Sequence, residues 1–438
     1  MNQCKVFFQT LGCKVNQYES EAMQKLFTAA GYEIAEEISA ADVVIINTCT
    51  VTAVSSQKSR QMIRRAAKKN CVLVVVGCYA QSEPEEISKI DGVDIIIGTK
   101  DRVRIVELVE AALNNRSEKI LQVGNVDDIS DFEELPHTPH RTRAFLKIED
   151  GCNNFCSYCI IPYVRGRVRS RSLESIRAEC LALKAAGFKE IVLTGIHIGA
   201  YGREQGKGIR DKGISLIDAI KTVLDAANPL RFRLGSLESA ELTDELIELI
   251  KNDKRICNHV HLPLQAGSDE ILKAMRRPYT TKNFATLTAR LVKEIPEISI
   301  GTDLIVGFPG ETDKHFDETL SFIQSQPFSK IHVFPYSART GTVAATLPNQ
   351  ISPQIKKSRA GRALEISQAK SENFYKQFIG KTVEIIAETS TDGIVDGLTK
   401  NYIRVYVPDK NIRLGEVITV KVEKIFKDGV WGNENPSP

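Results

Sequence analysis

The chain has 438 residues, of which 42% are apolar and 26% charged, and its net charge is +3. These figures fit an ordinary folded protein of two to four domains; they exclude a disordered or collagen-like chain and leave nucleic-acid binding to be argued from charge placement. The opening MNQCKVFFQTLGCK has no basic segment ahead of an apolar run, and no stretch nears the roughly 20 apolar residues of a membrane span, so a cytoplasmic location without a membrane partner is expected.

Residues 1–113 alternate apolar runs (KVFFQTLG, ADVVIINTCTV, VLVVVGCYA, VDIIIG) with helical patterns near 17–30, 55–69 and 84–90. Such alternation predicts a parallel sheet covered by helices, an α/β sandwich. Residues 114–140 lose the periodicity and end in an acidic, Pro-containing stretch, which reads as a linker with one short strand. From 141 the alternation returns, with strands near 143–148, 190–194, 231–235, 258–262, 300–306 and 330–334 and helices between them. Six βα units in succession predict a partial or complete parallel barrel, followed by a helix over about 351–376. The tail consists of short alternating strands, VEIIAE to VWGN, as in a small all-β barrel. The expected domains are thus 1–113, a linker at 114–140, 141–374, and 375–438.

Ten cysteines in a chain with no export signal point to metal ligation or plain burial rather than disulfides. Cys152, Cys156 and Cys159 form a C-x3-C-x2-C loop directly after a strand. Three thiolates in so short a loop can wrap one inorganic cluster, iron–sulfur or zinc, and three ligands on a four-iron cluster leave one iron open. A zinc site would have to borrow a distant ligand such as His197 or His261. Cys13, Cys49 and Cys78 are far apart in sequence, yet each ends a predicted strand. In a parallel sheet those ends share one edge, where α/β folds bind ligands. Cys4 and Cys71 start the same strands, about 20 Å away on the opposite edge. They read as buried thiols, as do Cys180 and Cys257.

The C-x3-C-x2-C loop followed by βα units resembles the radical-SAM (S-adenosylmethionine) superfamily. The resemblance implies a 4Fe–4S cluster whose open iron chelates the amino and carboxylate groups of SAM before the cofactor is split reductively. It places Gly195 in the segment that meets the SAM amino group, with Glu238 and Gln265 as further cofactor-binding candidates. Together TLGCKVNQYESE, NTCTV, GCYAQ and GCNNFCSYCIIPYVRGRVRSR resemble the methylthiotransferase family over essentially the whole chain. That family implies a second, auxiliary 4Fe–4S cluster on Cys13, Cys49 and Cys78, and a C-terminal TRAM barrel. It also implies an electron donor such as flavodoxin or ferredoxin, and a sulfur donor. CKVNQYES and KIEDGCNNFCSYC look most like the branch acting on N6-threonylcarbamoyladenosine beside the tRNA anticodon. Sibling branches act on isopentenyladenosine in tRNA or on an aspartate of a ribosomal protein. An RNA-binding protein with structural metal sites is the non-enzymatic alternative.

For RNA contact, the sequence offers Arg141, Arg143, Lys147, Arg165, Arg167, Arg169 and Arg171 around the cysteine loop. It also offers the basic helix around Arg60, Arg64, Arg65, Lys68 and Lys69. Tyr402, Tyr406 and Phe426 read either as base-stacking residues or as barrel core.

Overall fold

The computed structural model describes residues 3–116, 118–139, 142–203 and 213–434. In the N-terminal part, β1 (Lys5–Thr10), β2 (Glu33–Ile34), β3 (Val43–Thr48), β4 (Val72–Gly77), β5 (Ile95–Ile97) and β6 (Ile120–Gln122) form one parallel sheet in the order 2-1-3-4-5-6. Every residue of β3 and β4 is buried, because helices cover both faces. On one face α1 (Lys14–Ala29) brings Met23 and Phe27 against Val6, Val43 and Val74. On the other, α2 (Ala53–Ala66), α3 (Cys78–Ser82) and α4 (Pro84–Ser88) pack Ile63, Tyr79 and Ile87 on Val44, Ile46 and Leu73.

Two features differ from the sequence expectation. A further helix, α5 (Ile105–Asn114), covers the first face with Ile105, Leu108, Val109 and Ala112, an i, i+3, i+4, i+7 stripe. The short strand near residue 120 is not part of a free linker: β6 pairs with β5 and closes the edge of the sheet.

β7 (Arg143–Lys147) opens the central part; β8 (Glu149–Asp150) and β9 (Arg169–Ser170) form a small ribbon around α6 (Ile161–Arg165). Then follow α7 (Leu173–Ala185), β10 (Glu190–Thr194), α8 (Leu216–Ala227), β11 (Arg231–Arg233), α9 (Asp244–Asn252) and β12 (His259–His261). The series ends with α10 (Asp269–Ala274), α11 (Thr281–Glu294), β13 (Ser299–Val306), α12 (Asp313–Ser325) and β14 (Lys330–Pro335). β7, β10 and β11 pair in parallel, as do β12, β13 and β14. Single parallel bridges, Phe232 to Ile256 and Ser236 to His261, join the two halves. No pairing links β7 to β14 among the described residues, so the barrel is an open arc of six strands.

Strand alternation sorts the side chains of this arc. Ala144, Leu146, Ile191, Leu193, Phe232, Val260, Ile300 and Leu304 point outward into the helix-covered core. The alternate positions point into the lumen, and many are polar: Arg143, Lys147, Glu190, Arg233, His259, His261 and Asp303. α13 (Pro353–Lys376) then leads to a closed barrel in the order β15 (Thr382–Thr391), β16 (Ile394–Leu398), β17 (Arg404–Pro408), β19 (Gly429–Glu434), β18 (Val417–Phe426). This barrel caps the lumen: fully buried Arg231 and Arg233 donate to the carbonyls of Leu398 and Thr399 at 2.7 and 3.0 Å.

Candidate active site

Each cysteine of the N-terminal trio stands where a strand ends. Cys13 caps α1 just after β1, Cys49 follows β3, and Cys78 opens α3 after β4. Register sets them side by side, since Thr10 lies beside Asn47 and Thr48 beside Gly77. The loops touch: a Cβ added at Gly12 would lie 2.9 Å from Cys49 Cβ and 3.3 Å from its sulfur. Gly77 turns at φ +100°, and a Cβ there would meet Asn47 Oδ1 at 2.5 Å and the Thr48 carbonyl at 2.8 Å, so only glycine fits. Asn16 braces the edge by donating to the carbonyls of Leu11 and Thr48 at 2.8 and 2.9 Å. Of the other cysteines, Cys71, Cys180 and Cys257 are buried, whereas Cys4 is only half-buried. Its neighbour β2 is a two-residue edge strand, too short to cover it.

Cys152, Cys156 and Cys159 lie in one loop at the C-terminal mouth of the arc, where parallel barrels place their active sites. A chain of polar contacts surrounds them. Cys152 Sγ lies 3.6 Å from His197 Nδ1, and His197 Nε2 lies 2.6 Å from Glu241 Oε1. Glu241 Oε2 accepts from the Glu238 amide at 2.8 Å, and Glu238 pairs with Arg277, which donates to Cys156 Sγ at 3.2 Å. Gly195 packs against this centre, since an added Cβ would lie 2.9 Å from Glu149 Oε2. Gln265, at φ +66°, pairs its backbone with Asp303 and Ile305 of β13. Its side chain lines a cleft of about 230 Å³ together with Cys159, Tyr158, Asp303 and Tyr336.

Val51 and Thr52, from the Cys49 loop, form the opposite wall of that cleft. The Ala53 amide donates to Ser337 Oγ at 2.8 Å, which fastens this loop to the segment after β14. Cys78 packs against Ile160, the residue after Cys159. The Cys49 loop and the Cys159 end of the other loop thus meet at this cleft, with Cys78 packed behind Ile160. Behind it lies a buried ion network. Arg165, fully buried, donates to Cys78 Sγ at 3.2 Å, Glu19 Oε1 at 2.6 Å, Asn16 Oδ1 at 2.9 Å and Asp150 Oδ2 at 3.2 Å. Lys147 joins Glu19 and Asp150 at 2.9 and 2.7 Å. Burial opposes the charge on Glu19, but Arg102, Arg165 and Lys147 outweigh it and hold its carboxyl below the ordinary range.

This network overturns the basic-loop expectation. Lys147, Arg165, Arg169 and Arg171 are buried, Arg143 is half-buried against Glu388 and Glu190, and Arg141 lies outside the described residues. Arg167 alone of the described members is exposed. A basic run in sequence carries no record of the carboxylates that other elements bring to it. Arg64 and Arg65 of α2 and Lys68 and Lys69 in the turn after it are exposed, and Arg60 leans on Tyr79. Tyr406 and Phe426 pack edge-to-face on the outside of the C-terminal barrel, beside Trp431, not in its core. Tyr402 stacks on His259 at the floor of the lumen.

Sequence reasoning missed Glu149 and Arg277, which contact the cysteine centre. Glu149 is fully buried; its Oε2 accepts from the His197 amide at 2.6 Å, and its Oε1 has no partner among the described residues. Burial raises its pKa well above the carboxylate range. Its position just ahead of the cysteine loop, in KIEDGC, is the one signal that marks it.

The three thiols of the Cys152, Cys156 and Cys159 loop are the donors an iron–sulfur cluster takes. Among the described residues no three Cys, His, Asp or Glu side chains converge closely enough for a single metal ion; a four-iron cube spreads its thiolates around a larger body. Burial pushes the thiols of Cys78 and Cys159 up to about 12, so the positive charge of iron is what would deprotonate them. Each trio also presents one sulfur to a buried arginine.

Comparison with known proteins agrees with this geometry. Residues 5–98 match the uncharacterized protein family UPF0004, and residues 146–323 match the radical SAM superfamily. The chain is 43% identical to the threonylcarbamoyladenosine tRNA methylthiotransferase MtaB of Bacillus subtilis, over 96% of this chain and 94% of that one. It is 38% identical to the enzyme of the same name from Aquifex aeolicus, over 91% and 95%. Among solved structures, the radical SAM methyltransferase TsrM from Kitasatospora setae shares the fold, with a TM-score of 0.57 at 16% identity over 78% of this chain and 77% of that one. The chain belongs to the radical-SAM methylthiotransferase family.

Proposed function

We propose that this enzyme methylthiolates carbon 2 of the adenine ring of N6-threonylcarbamoyladenosine beside the tRNA anticodon. It does so with SAM and two 4Fe–4S clusters, one on Cys152, Cys156 and Cys159 and an auxiliary one on Cys13, Cys49 and Cys78. The observation that supports this reading is the packing of Cys78 on Ile160, next to Cys159, which brings loops of the two trios together beside one cleft. Carbon 2 of adenine has neither an acidic proton nor a leaving group, so acid–base chemistry offers no route to it. When bound, the clusters supply one-electron cleavage of SAM on one side and a carrier for sulfur on the other.

The protein's own residues bind and orient. Arg277 and Arg165 each hold one ligand sulfur through a charge-assisted hydrogen bond. The unpartnered Glu149 Oε1, beside the Gly195 loop, is a ready acceptor for the SAM amino group. Glu238, fixed by Arg277 and the Glu241 bond, stiffens the opposite side. Gln265 and Tyr336 line the cleft where the adenine would lie.

Two measurements test this. Protein reconstituted without oxygen should hold two clusters' worth of iron and form 5′-deoxyadenosine from SAM with dithionite. Mass spectrometry of tRNA nucleosides from a deletion strain should show loss of 2-methylthio-N6-threonylcarbamoyladenosine; an undiminished level rejects the substrate.

A further inference from the structure

Below the cleft, the lumen of the arc holds a chamber of about 440 Å³. Its walls come from β11 to β14 on one side, from Lys14 of α1 on another, and from Tyr402 and Arg404 of the C-terminal barrel beneath. Four cations, Lys14, Arg143, Lys330 and Arg404, line it against a single carboxylate, Asp428. Arg143 and Arg404 are committed to Glu388 and Asp396. Lys14 makes no hydrogen bond or ion pair among the described residues, although it directly follows Cys13 and reaches into this space. His259, only 8% exposed, also lines the chamber, and its Nδ1 has no partner among the described residues. A buried polar atom without a protein partner is one that a ligand, an ion or water can satisfy.

Cleft and chamber adjoin along β13. Asp303 lines the cleft and Gly301 the chamber, two residues or about 7 Å apart along β13. His261 of the chamber lies 3.1 Å from Asp303, so the acid at the neck already has a hydrogen-bonding partner.

We propose that this chamber receives the side arm on the adenine N6 nitrogen and that Lys14 and His259 bind its terminal carboxylate. The inference rests on the proposed function and adds the device that selects the substrate. With the ring between the two cysteine trios, an arm leaving N6 descends beside Asp303 and His261 into the cationic space. The threonylcarbamoyl arm ends in a carboxylate that matches Lys14 and the free His259 nitrogen. An isopentenyl arm would enter the same space with no polar atom and leave both groups unpaired, a penalty that buried polar sites use to reject apolar analogues.

The test uses the full chain with reconstituted clusters and three anticodon stem-loop RNAs that differ only in the modified position: N6-threonylcarbamoyladenosine, adenosine and isopentenyladenosine. Fluorescence anisotropy should show wild type preferring the first RNA by about ten-fold. Lys14→Met and His259→Phe should each cut that preference to about two-fold or less, with iron content per chain at the wild-type level, while Lys14→Arg should keep most of it. A wild type without preference, or a preference that survives both Lys14→Met and His259→Phe, overturns the chamber assignment. Because Lys14 adjoins a cluster cysteine, the distant His259 variant decides the matter if Lys14→Met loses iron. Should wild type convert none of the three RNAs, the functional reading fails; should it convert the first while the variants bind all three as wild type does, only the chamber fails.

Discussion

The two cysteine trios are built by opposite means. Cys152, Cys156 and Cys159 occupy one short loop, so local chain geometry alone brings them together. Cys13, Cys49 and Cys78 come from three separate loops and meet only because β1, β3 and β4 pair in parallel and in register. The second trio therefore depends on the whole sheet, and on Arg165, which reaches Cys78 from α6 just after the other trio's loop. A site assembled from long-range pairing carries more residues whose loss dismantles it.

The sharpest break in this comparison is ligand removal. Replacing Cys152, Cys156 and Cys159 with Ala should halve the iron and abolish 5′-deoxyadenosine formation. Replacing Cys13, Cys49 and Cys78 should halve the iron yet leave SAM cleavage in place. If the second triple variant keeps full iron, those cysteines are not the auxiliary ligands.

Arg165→Met comes next. It strands Glu19 and Asp150 without one of their buried counter-charges, which should cost about 3–5 kcal/mol in denaturant unfolding. The iron lost should come from the auxiliary site. Acid should act through the same network: carboxyls held below their ordinary pKa contribute stability above the unfolded value, and this is lost as pH falls through their lowered folded values. The variant should therefore show a flatter decline in stability on acidification than wild type.

Gly77→Ala should cost about 1–3 kcal/mol, because the new Cβ collides with Asn47 and Thr48 at a left-handed φ. Auxiliary iron should fall with it, while SAM cleavage persists. Equal loss from both clusters would contradict the independence of the two sites.

His137→Gln is a smaller effect with a pH signature. His137 lies 2.9 Å from both Glu21 of α1 and Glu179 of α7, pinning the N-terminal sheet to the arc. Burial opposes its charge, but the bonds to Glu179 and Glu21 prevail and raise its pKa. A raised folded value stabilises below the unfolded pKa and fades as pH rises through the folded one. The variant should be about 2 kcal/mol less stable than wild type near pH 6 and closer to it near pH 9. A deficit that is constant across that range removes the charge from the explanation.

The smallest stability effect belongs to the α2 surface. Replacing exposed Arg64 and Arg65 with Ala should change stability by no more than about 0.5 kcal/mol. If this face meets RNA, the slope of log affinity against log salt should shrink by about one for each arginine–phosphate pair removed.

Amino-acid order by itself determined the element types and the edges they present. Period-two apolar runs and 3.6-residue stripes are local, and a strand that enters a parallel sheet must put its last residue on the ligand edge. That is why Cys13, Cys49 and Cys78 could be separated from Cys71, and why six strands of an arc could be placed within a residue or two. Tertiary packing alone decided what faces those residues. Glu19 lies 146 positions from Arg165, and Glu388 lies 245 from Arg143, so a stretch that reads as a basic RNA-binding loop becomes a buried ion network. Lys14 and Glu149 acquire meaning in the same way. Coulomb energy and desolvation depend on distance through space, and periodicity along the chain fixes only the side a residue points to, not the charge waiting there.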